Sequence, residues 1–336
     1  MQRLRIELSD LATWENLLLA VWKAARGKRQ RHDVAQFIAG LENCLQALAR
    51  DIINGVVPYG FYRHFYIHDP KRRLIHAACF EDRVLHHAIM NLAESVFERS
   101  LVPTSYACRP GKGVHRAIVQ VQHNLRRYPW YVQLDIDAYF PSIDHKLLYG
   151  LLQRRFKGEG FMALLGRIID SYHAKQGKGL PIGSLTSQHF ANHYLNGADR
   201  FLLNAKTVGS MVRYMDDIIW WCHDKLSAKQ TLTELGDFLQ DELSLTIKPN
   251  TQINRSSHGV TYCGFRVLPG TVLLTPRKKR RYRILRGQWE EAWLAGKISS
   301  DTLQQAYAAV HAITLHADSQ TWRRRNLQLN PSHVIN

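Results

Sequence analysis

Residues 212–221 read VRYMDDIIWW. Two adjacent carboxylates, Asp216 and Asp217, interrupt a run that otherwise asks to be buried. Like charges side by side raise each other's pKa and cost stability unless something cationic neutralises them. The pair therefore lies at a solvated turn or around a metal ion. The apolar flanks predict two strands of a hairpin with the acids at its tip.

The nearest comparable pattern upstream is WYVQLDIDAYFPSID, residues 130–144. Alternation predicts a strand with Val132, Leu134 and Ile136 on one face and Gln133, Asp135 and Asp137 on the other, ended by Pro141. If this strand and the hairpin are neighbours in one sheet, Asp135, Asp216 and Asp217 converge. Hard divalent cations with oxygen ligands are the natural neutraliser, and Mg²⁺ takes one or two carboxylates plus substrate phosphates. Two such ions, with Mn²⁺ as a substitute, can activate an attacking 3′-hydroxyl and stabilise a leaving pyrophosphate.

The bulk composition agrees with a phosphate-rich partner. The 336 residues carry 45 Lys+Arg against 28 Asp+Glu, a formal net charge of +17 that attracts polyanions. Five scattered cysteines without C-x-x-C spacing fit a reducing compartment and argue against a disulfide framework or a cysteine zinc site. Among 17 histidines, the pairs His64/His68 and His86/His87 lack a partner set for zinc. No apolar run reaches the length of a membrane span and no signal-peptide pattern opens the chain, so a cytoplasmic protein is expected, with no membrane partner.

Along the chain, residues 10–29 read as an amphipathic helix capped by Asp10 or Thr13, with Trp14, Leu17, Leu18, Val21 and Trp22 at helical spacing and a basic tail. Residues 60–80 predict two strands joined by a turn at His68-Asp69-Pro70, followed by a helix from Val84 to Phe97. The loop SYACRPGKG carries Arg109 and Lys112 beside glycines that let a backbone approach a ligand closely. GLPIGSLTSQHFAN opens a helix with Phe190, Ala191, Tyr194, Leu195 and Ala198 on its face and Ser184 or Thr186 as cap. Then come a helix around Lys229–Leu243, a short strand LTIKPN, a hairpin-like GVTYCGFRVLPGTVLLT, and a helical C-terminal stretch opening with RKKRRYR. That basic block is a solvated helix face or a surface that tracks a phosphate backbone.

These segments together resemble reverse transcriptases over nearly the whole chain. LDIDAYFPSID and RYMDD resemble the two catalytic motifs, SYACRPGKG the fingers segment that grips a triphosphate, and YCGFRV the primer-grip hairpin. GLPIGSLTSQHFAN and the N-terminal TWENLLLAVWKAARGKR are similar to reverse transcriptases of diversity-generating retroelements, within the group II intron-like superfamily. The resemblance implies an α/β (α+β) right-hand polymerase fold with fingers, palm and helical thumb. It divides the chain into an N-terminal helical segment 1–55, fingers 56–128, palm 129–255 with a helix 184–205, and a primer-grip hairpin and thumb 256–336.

It further implies a bacterial or phage enzyme that copies a template-repeat RNA into cDNA with errors opposite adenine, using dNTPs and holding the RNA/cDNA duplex. A small basic accessory protein forming a pentameric barrel is the implied partner. Asp135, Asp216 and Asp217 become the catalytic acids, with Ile136 beside them in the metal set. Arg73, Arg109, Lys112, Tyr139, Phe140, Ile182, Gln188 and Lys248 are the implied nucleotide contacts. One of Tyr139 and Phe140 is the ribose gate, unless both are core aromatics, and Lys248 sits near the leaving pyrophosphate unless it is an exposed strand-end lysine. Lys71, Arg72, Tyr262, Gly264, Arg277, Lys278, Lys279, Arg280 and Arg281 are the implied nucleic-acid contacts.

Ile182-Gly183 departs from the Gln-Gly of many reverse transcriptases, replacing a side chain that could bond the incoming nucleotide. No RNase H, integrase, endonuclease, DNA-binding or maturase extension is expected. Two other readings stay open: a compact group II-like, CRISPR-associated or phage-defence reverse transcriptase, and a catalytically idle RNA-binding scaffold.

Overall fold

The computed structural model describes residues 2–68 and 72–330. In chain order it opens with β1 (Leu4–Arg5), α1 (Leu8–Leu11), α2 (Trp14–Ala25), α3 (His32–Ala39) and α4 (Leu41–Ile53). Next come β2 (Tyr62–His68), β3 (Arg72–Ala78), α5 (Phe80–Ser100) and α6 (Val114–Arg127). The middle holds β4 (Trp130–Asp135), α7 (Tyr139–Ser142), α8 (His145–Gln153), β5 (Phe156–Lys157), α9 (Glu159–Asp170), α10 (Leu185–Tyr194) and α11 (Asn196–Asn204). Then follow β6 (Ser210–Tyr214), β7 (Asp217–Cys222) and α12 (Lys225–Leu243). The chain continues with β8 (Gln252–Arg255), β9 (Val260–Tyr262), β10 (Phe265–Val267) and β11 (Val272–Leu274), and finishes in α13 (Pro276–Leu294), α14 (Ser300–Ala312) and α15 (Gln320–Leu329). Among the described residues no helix is long and apolar enough to cross a membrane.

Two compact units are built from alternating stretches of the chain. The first comprises residues 1–108, 135–201 and 233–249. Its core is the long α5, whose Val84, Leu85, Ala88 and Ile89 are buried together with Leu17, Ala20, Val21 and Ala24 of α2. Thr13 caps α2 by accepting from the Asn16 N–H at 3.4 Å, while Asp10 serves a capping box of α1 instead. The buried stripe of α2 runs through 17, 20, 21 and 24. That spacing leaves Trp14 and Trp22, read from the sequence as part of the same face, 43% and 48% exposed. The two strands expected over residues 60–80 are β2 and β3, an antiparallel ribbon with Tyr62 opposite Ala78, and the turn expected at His68-Asp69-Pro70 falls largely outside the described residues.

The second unit comprises residues 109–134, 202–232 and 250–336. Its centre is a four-stranded sheet in the order β6-β7-β4-β8. The sheet buries Val132, Leu134, Ile218, Ile219, Trp220 and Trp221, and the buried Asn124 of α6 donates to Ser210 Oγ at 2.9 Å. A second sheet, β11-β10-β9, carries three strands where the sequence read as one hairpin.

Four sequence readings need correction. β4 ends at Asp135 rather than at Pro141, because Ala138 adopts φ 41° and turns the chain into α7, which contains Pro141. The helix expected over 184–205 is two helices joined at Leu195, where Asn196 and Gly197 are weak helix formers. Ser184 stands at the N-cap position, but its hydroxyl pairs with Thr186 Oγ1 at 3.2 Å instead of capping the backbone. LTIKPN makes a single bridge, Ile247 to Ile136, and no strand, since Pro249 supplies no N–H to continue a ladder.

Candidate active site

The acid pair sits in the hairpin that its apolar flanks predict. β6 and β7 pair antiparallel with Tyr214 opposite Asp217, so Met215 and Asp216 form a two-residue turn. Met215 takes φ 58°, a conformation that costs a non-glycine residue energy and must be held by its surroundings. Arg213 supplies part of that hold. Its side chain is fully buried and Nη1 donates to the Met215 carbonyl at 3.0 Å.

Asp217 is braced twice. Gln133 Nε2 donates to Asp217 Oδ1 at 3.0 Å, and the Tyr262 hydroxyl donates to the Asp217 carbonyl at 3.0 Å. Burial, and then the charge of Asp217, raise the Tyr262 phenol well above its ordinary pKa, so it remains a donor across the working range. The Cys263 thiol is raised by the same two causes and stays protonated, hence unreactive.

Asp135 is held in the first unit by the segment that follows α12. Lys248 N–H donates to the Asp135 carbonyl at 3.0 Å, and Asp137 N–H donates to the Thr246 carbonyl at 2.8 Å. Lys248 Nζ then reaches Asp135 Oδ2 at 2.5 Å. The lysine read from the sequence as an exposed strand end or a pyrophosphate contact is thus engaged with an acid, and its side chain is only 23% exposed. Asp135 is the last residue of β4 and Asp217 the first of β7, and β4 and β7 are neighbours in the sheet.

The aromatic pair separates cleanly. Tyr139 is 3% exposed and its hydroxyl donates to the Ala191 carbonyl of α10 at 2.5 Å, which makes it a packing ring. Phe140 is half-buried and meets Tyr139 edge-on at 5.8 Å. The Ile182 carbonyl accepts from His76 N–H at 2.9 Å, tying the loop before α10 to β3. A Cβ on Gly183 would lie 2.9 Å from Ile75 Cγ2, and Gly183 has φ 117°, so glycine is required there on both counts. Gln188 is half-buried on α10, and Arg73 is exposed on β3 opposite Ile67. Arg109 and Lys112 share a turn closed by Lys112 N–H to the Arg109 carbonyl at 3.2 Å.

Of the nucleic-acid candidates, Lys71 lies outside the described residues. Arg72 stacks over Tyr66 at 3.8 Å on the ribbon, among the exposed Phe65, Tyr66 and Ile67. Tyr262 is fully buried, which corrects its reading as a nucleic-acid contact: the ring packs inside and the hydroxyl holds an acid. Gly264 has φ 77°, and a Cβ there would stand 3.0 Å from Lys278 Cε. Lys278 lies over the Phe265 ring at 3.7 Å, and burial with the nearby Arg281 and Arg277 lowers its pKa. Arg277, Arg280 and Arg281 are exposed on α13, and Lys279 lies 5.8 Å from the Trp322 ring.

The family model for reverse transcriptase (RNA-dependent DNA polymerase) matches residues 68–267, more than half of the chain. The chain belongs to the reverse transcriptase family of RNA-dependent DNA polymerases. Its mixed helix-and-sheet architecture is the right-hand polymerase fold. The group II intron-encoded protein LtrA of Lactococcus lactis subsp. cremoris is 29% identical over 143 residues, 40% of this chain and 24% of that protein. Protein YkfC of Escherichia coli strain K12 is 29% identical over 171 residues, 47% of this chain and 45% of that protein. The chain thus spans less than half the length of these relatives. Among solved structures, apo telomerase from Candida tropicalis aligns with a TM-score of 0.46 at 14% identity, covering 66% of this chain and 56% of that one.

Asp135 offers only hard oxygen donors and already accepts a cation, the Lys248 ammonium, on Oδ2. That donor set fits Mg²⁺. Among the described residues His145, Asp170 and His173 bring ligand atoms within 4.8 Å of one another. His145 is engaged there in a loop clasp, Nε2 on the Gly179 carbonyl at 2.8 Å and Nδ1 on Asp170 at 3.1 Å.

Three residues that shape the acid turn escaped the sequence reading: Gln133, Arg213 and the hydroxyl role of Tyr262. Gln133 carried a signal, since it shares the strand face of Asp135 two residues on. Arg213 carried one as well, a charge inside an apolar run immediately before the acids.

Proposed function

We propose that this chain is the error-prone polymerase of a diversity-generating retroelement, copying a template-repeat RNA into adenine-mutagenised cDNA in the bacterial or phage cytoplasm. The observation that carries the polymerase half of this reading is the braced acid turn. A strained Met215, a buried arginine beneath it and two donors on Asp217 amount to an expensive local structure with no use in an idle scaffold.

Asp135, Asp216 and Asp217 would hold two Mg²⁺ ions, which when bound supply Lewis-acid stabilisation to a phosphoryl transfer. The chain's own part is positioning. Lys248 orients the Asp135 carboxylate, while Gln133 and Tyr262 orient Asp217 from its side chain and its backbone. Phe140, the partly exposed member of the aromatic pair, is placed to exclude a ribose 2′-hydroxyl, leaving Tyr139 to the core. Arg73, Arg109 and Lys112 offer cations to a triphosphate. The basic face of α13 suits the backbone of an RNA/cDNA duplex, with a strong salt dependence.

The retroelement half rests on the GLPIGSLTSQ segment and on Ile182. Where a side-chain amide would bond the nascent pair, Ile182 offers none, and losing such a bond costs about 1 kcal/mol of discrimination, roughly fivefold to tenfold per site. A small basic pentameric partner belongs to the same reading.

The test is to sequence products of primer extension on an RNA template, with and without that partner. Errors concentrated opposite template adenine support the retroelement enzyme. Rare, evenly spread errors move the assignment to a group II-like or defence reverse transcriptase.

A further inference from the structure

An open cleft of about 670 Å³ lies in the second unit at the start of β4, lined by Arg126, Arg127, Tyr128, Trp130, Arg255 and Ser256 among others. Trp130 begins the strand that Asp135 ends, so about 16 Å of extended chain separates the two at about 3.3 Å per residue. Among the described residues no acidic side chain lines the cleft, and three guanidinium groups do. Its size falls within the range of about 300–1,000 Å³ usual for ligand sites.

The lining is built rather than incidental. Trp130 and Arg255 are direct cross-strand partners of β4 and β8. The Arg255 guanidinium lies 5.4 Å from the Trp130 ring centroid, and Lys225 Nζ lies 5.5 Å from it. The Tyr128 hydroxyl donates to the Gly209 carbonyl at 2.8 Å, and a Cβ on Gly209 would fall 2.2 Å from the Tyr128 ring. The Tyr128 ring therefore occupies the space that any side chain at 209 would take. Arg127 lies 5.7 Å from the same ring. Arg126 is anchored by donating to the Pro269 carbonyl. Most telling is Ser256. It is 2% exposed, and its Oγ has no hydrogen-bond partner, although buried hydroxyls are nearly always satisfied.

Cations beside fixed aromatic rings, with an unused hydroxyl among the lining residues, match the two halves of a nucleotide: a phosphate for the guanidiniums and a base to stack. We infer that this cleft binds a single-stranded nucleic-acid segment of one or two nucleotides, its phosphate on Arg127 and Arg255, its base against Trp130 or Tyr128, and its remaining polar group on Ser256. The site is separate from the catalytic acids, and binding there does not require synthesis.

The experiment is photocrosslinking of the full chain to a tetranucleotide of 5-iodouridine, with the crosslinked residues mapped by mass spectrometry. Crosslinks at Tyr128 or Trp130 are expected. They should fall at least tenfold in Arg127→Glu/Arg255→Glu, persist in Asp216→Ala, and leave extension of an annealed primer–template unchanged in the charge-reversed variant. Ser256→Ala guards against a misfolded double variant, because it deletes only an unsatisfied hydroxyl, and crosslinking should drop about fivefold. Crosslinks confined to other segments, or undiminished in both variants, overturn the inference. Competition by free UMP as strong as by unlabelled tetrauridine would overturn the strand assignment in favour of a mononucleotide.

Discussion

Replacing Tyr262 by Phe deletes one atom that the structure places on the backbone of a candidate metal ligand. The ring is fully buried and keeps its packing, so the change isolates the hydroxyl that donates to the Asp217 carbonyl at 3.0 Å. A neutral hydrogen bond contributes about 0.5–1.5 kcal/mol net, and a buried acceptor that loses its donor costs about 1–3 kcal/mol. If about 1–2 kcal/mol of this loss falls on the orientation of Asp217, kcat/KM for extension drops about fivefold to thirtyfold, at 1.36 kcal/mol per decade. The Mg²⁺ concentration for half-maximal rate should rise with it, because the acid is held less firmly. Stability falls too, by about 1–2 °C in Tm per kcal/mol for a chain of 336 residues. Single-turnover extension across a Mg²⁺ titration, beside a thermal melt, separates the two effects. A lowered Tm with rates within about twofold of wild type at every Mg²⁺ concentration would refute the positioning role and leave Tyr262 a core residue.

Three further outcomes are expected. Phe140→Ala should admit ribonucleotides about tenfold more readily in a competition of rNTP against dNTP, whereas Tyr139→Ala should lose about 3–5 kcal/mol of stability in a denaturant melt before selectivity can be read. Ile182→Gln should lower errors opposite template adenine by about fivefold, scored by sequencing products, and an unchanged spectrum would remove Ile182 from the account of infidelity. Burial lowers the pKa of His86, His189 and His193 to about 4, so these rings protonate in the unfolded chain near pH 6.5 but in the fold only near 4. Their contribution is complete above pH 6.5 and is lost as pH falls from 6.5 to 4, by up to about 2–3 kcal/mol each, and His189→Leu should flatten the dependence of Tm on pH in that window.

Much of the acid turn was legible because a strand pattern with a period of two tolerates no charge inside it without a reason. The hairpin flanks, the face carrying Asp135 and the cap of α2 follow from local rules that act over a few residues. Thr13 is a case in point, an N-cap recognisable from its own side chain. What could not be read was set by residues distant in the chain. Gln133 becomes a brace only because β7 lies beside β4, and Lys248 becomes an acid's partner only because residues 246–248 run along 135–137. The burial of Tyr262 depends on the three-stranded sheet around it, and YCGFRV alone gives no hint of which side is inside. Trp14 and Trp22 show the converse: their spacing is helical, but the stripe that α5 covers is narrower than the apolar pattern.

We assign RNA-templated DNA synthesis to Asp135, Asp216 and Asp217. Its most direct test is primer extension on an RNA template with Mg²⁺ and all four dNTPs, comparing wild type with Asp216→Ala at matched thermal stability. Extension by the wild type that vanishes in Asp216→Ala is the expected result. Extension that survives the substitution, or a wild type that binds RNA yet extends no primer even with a structured template supplied, would contradict it.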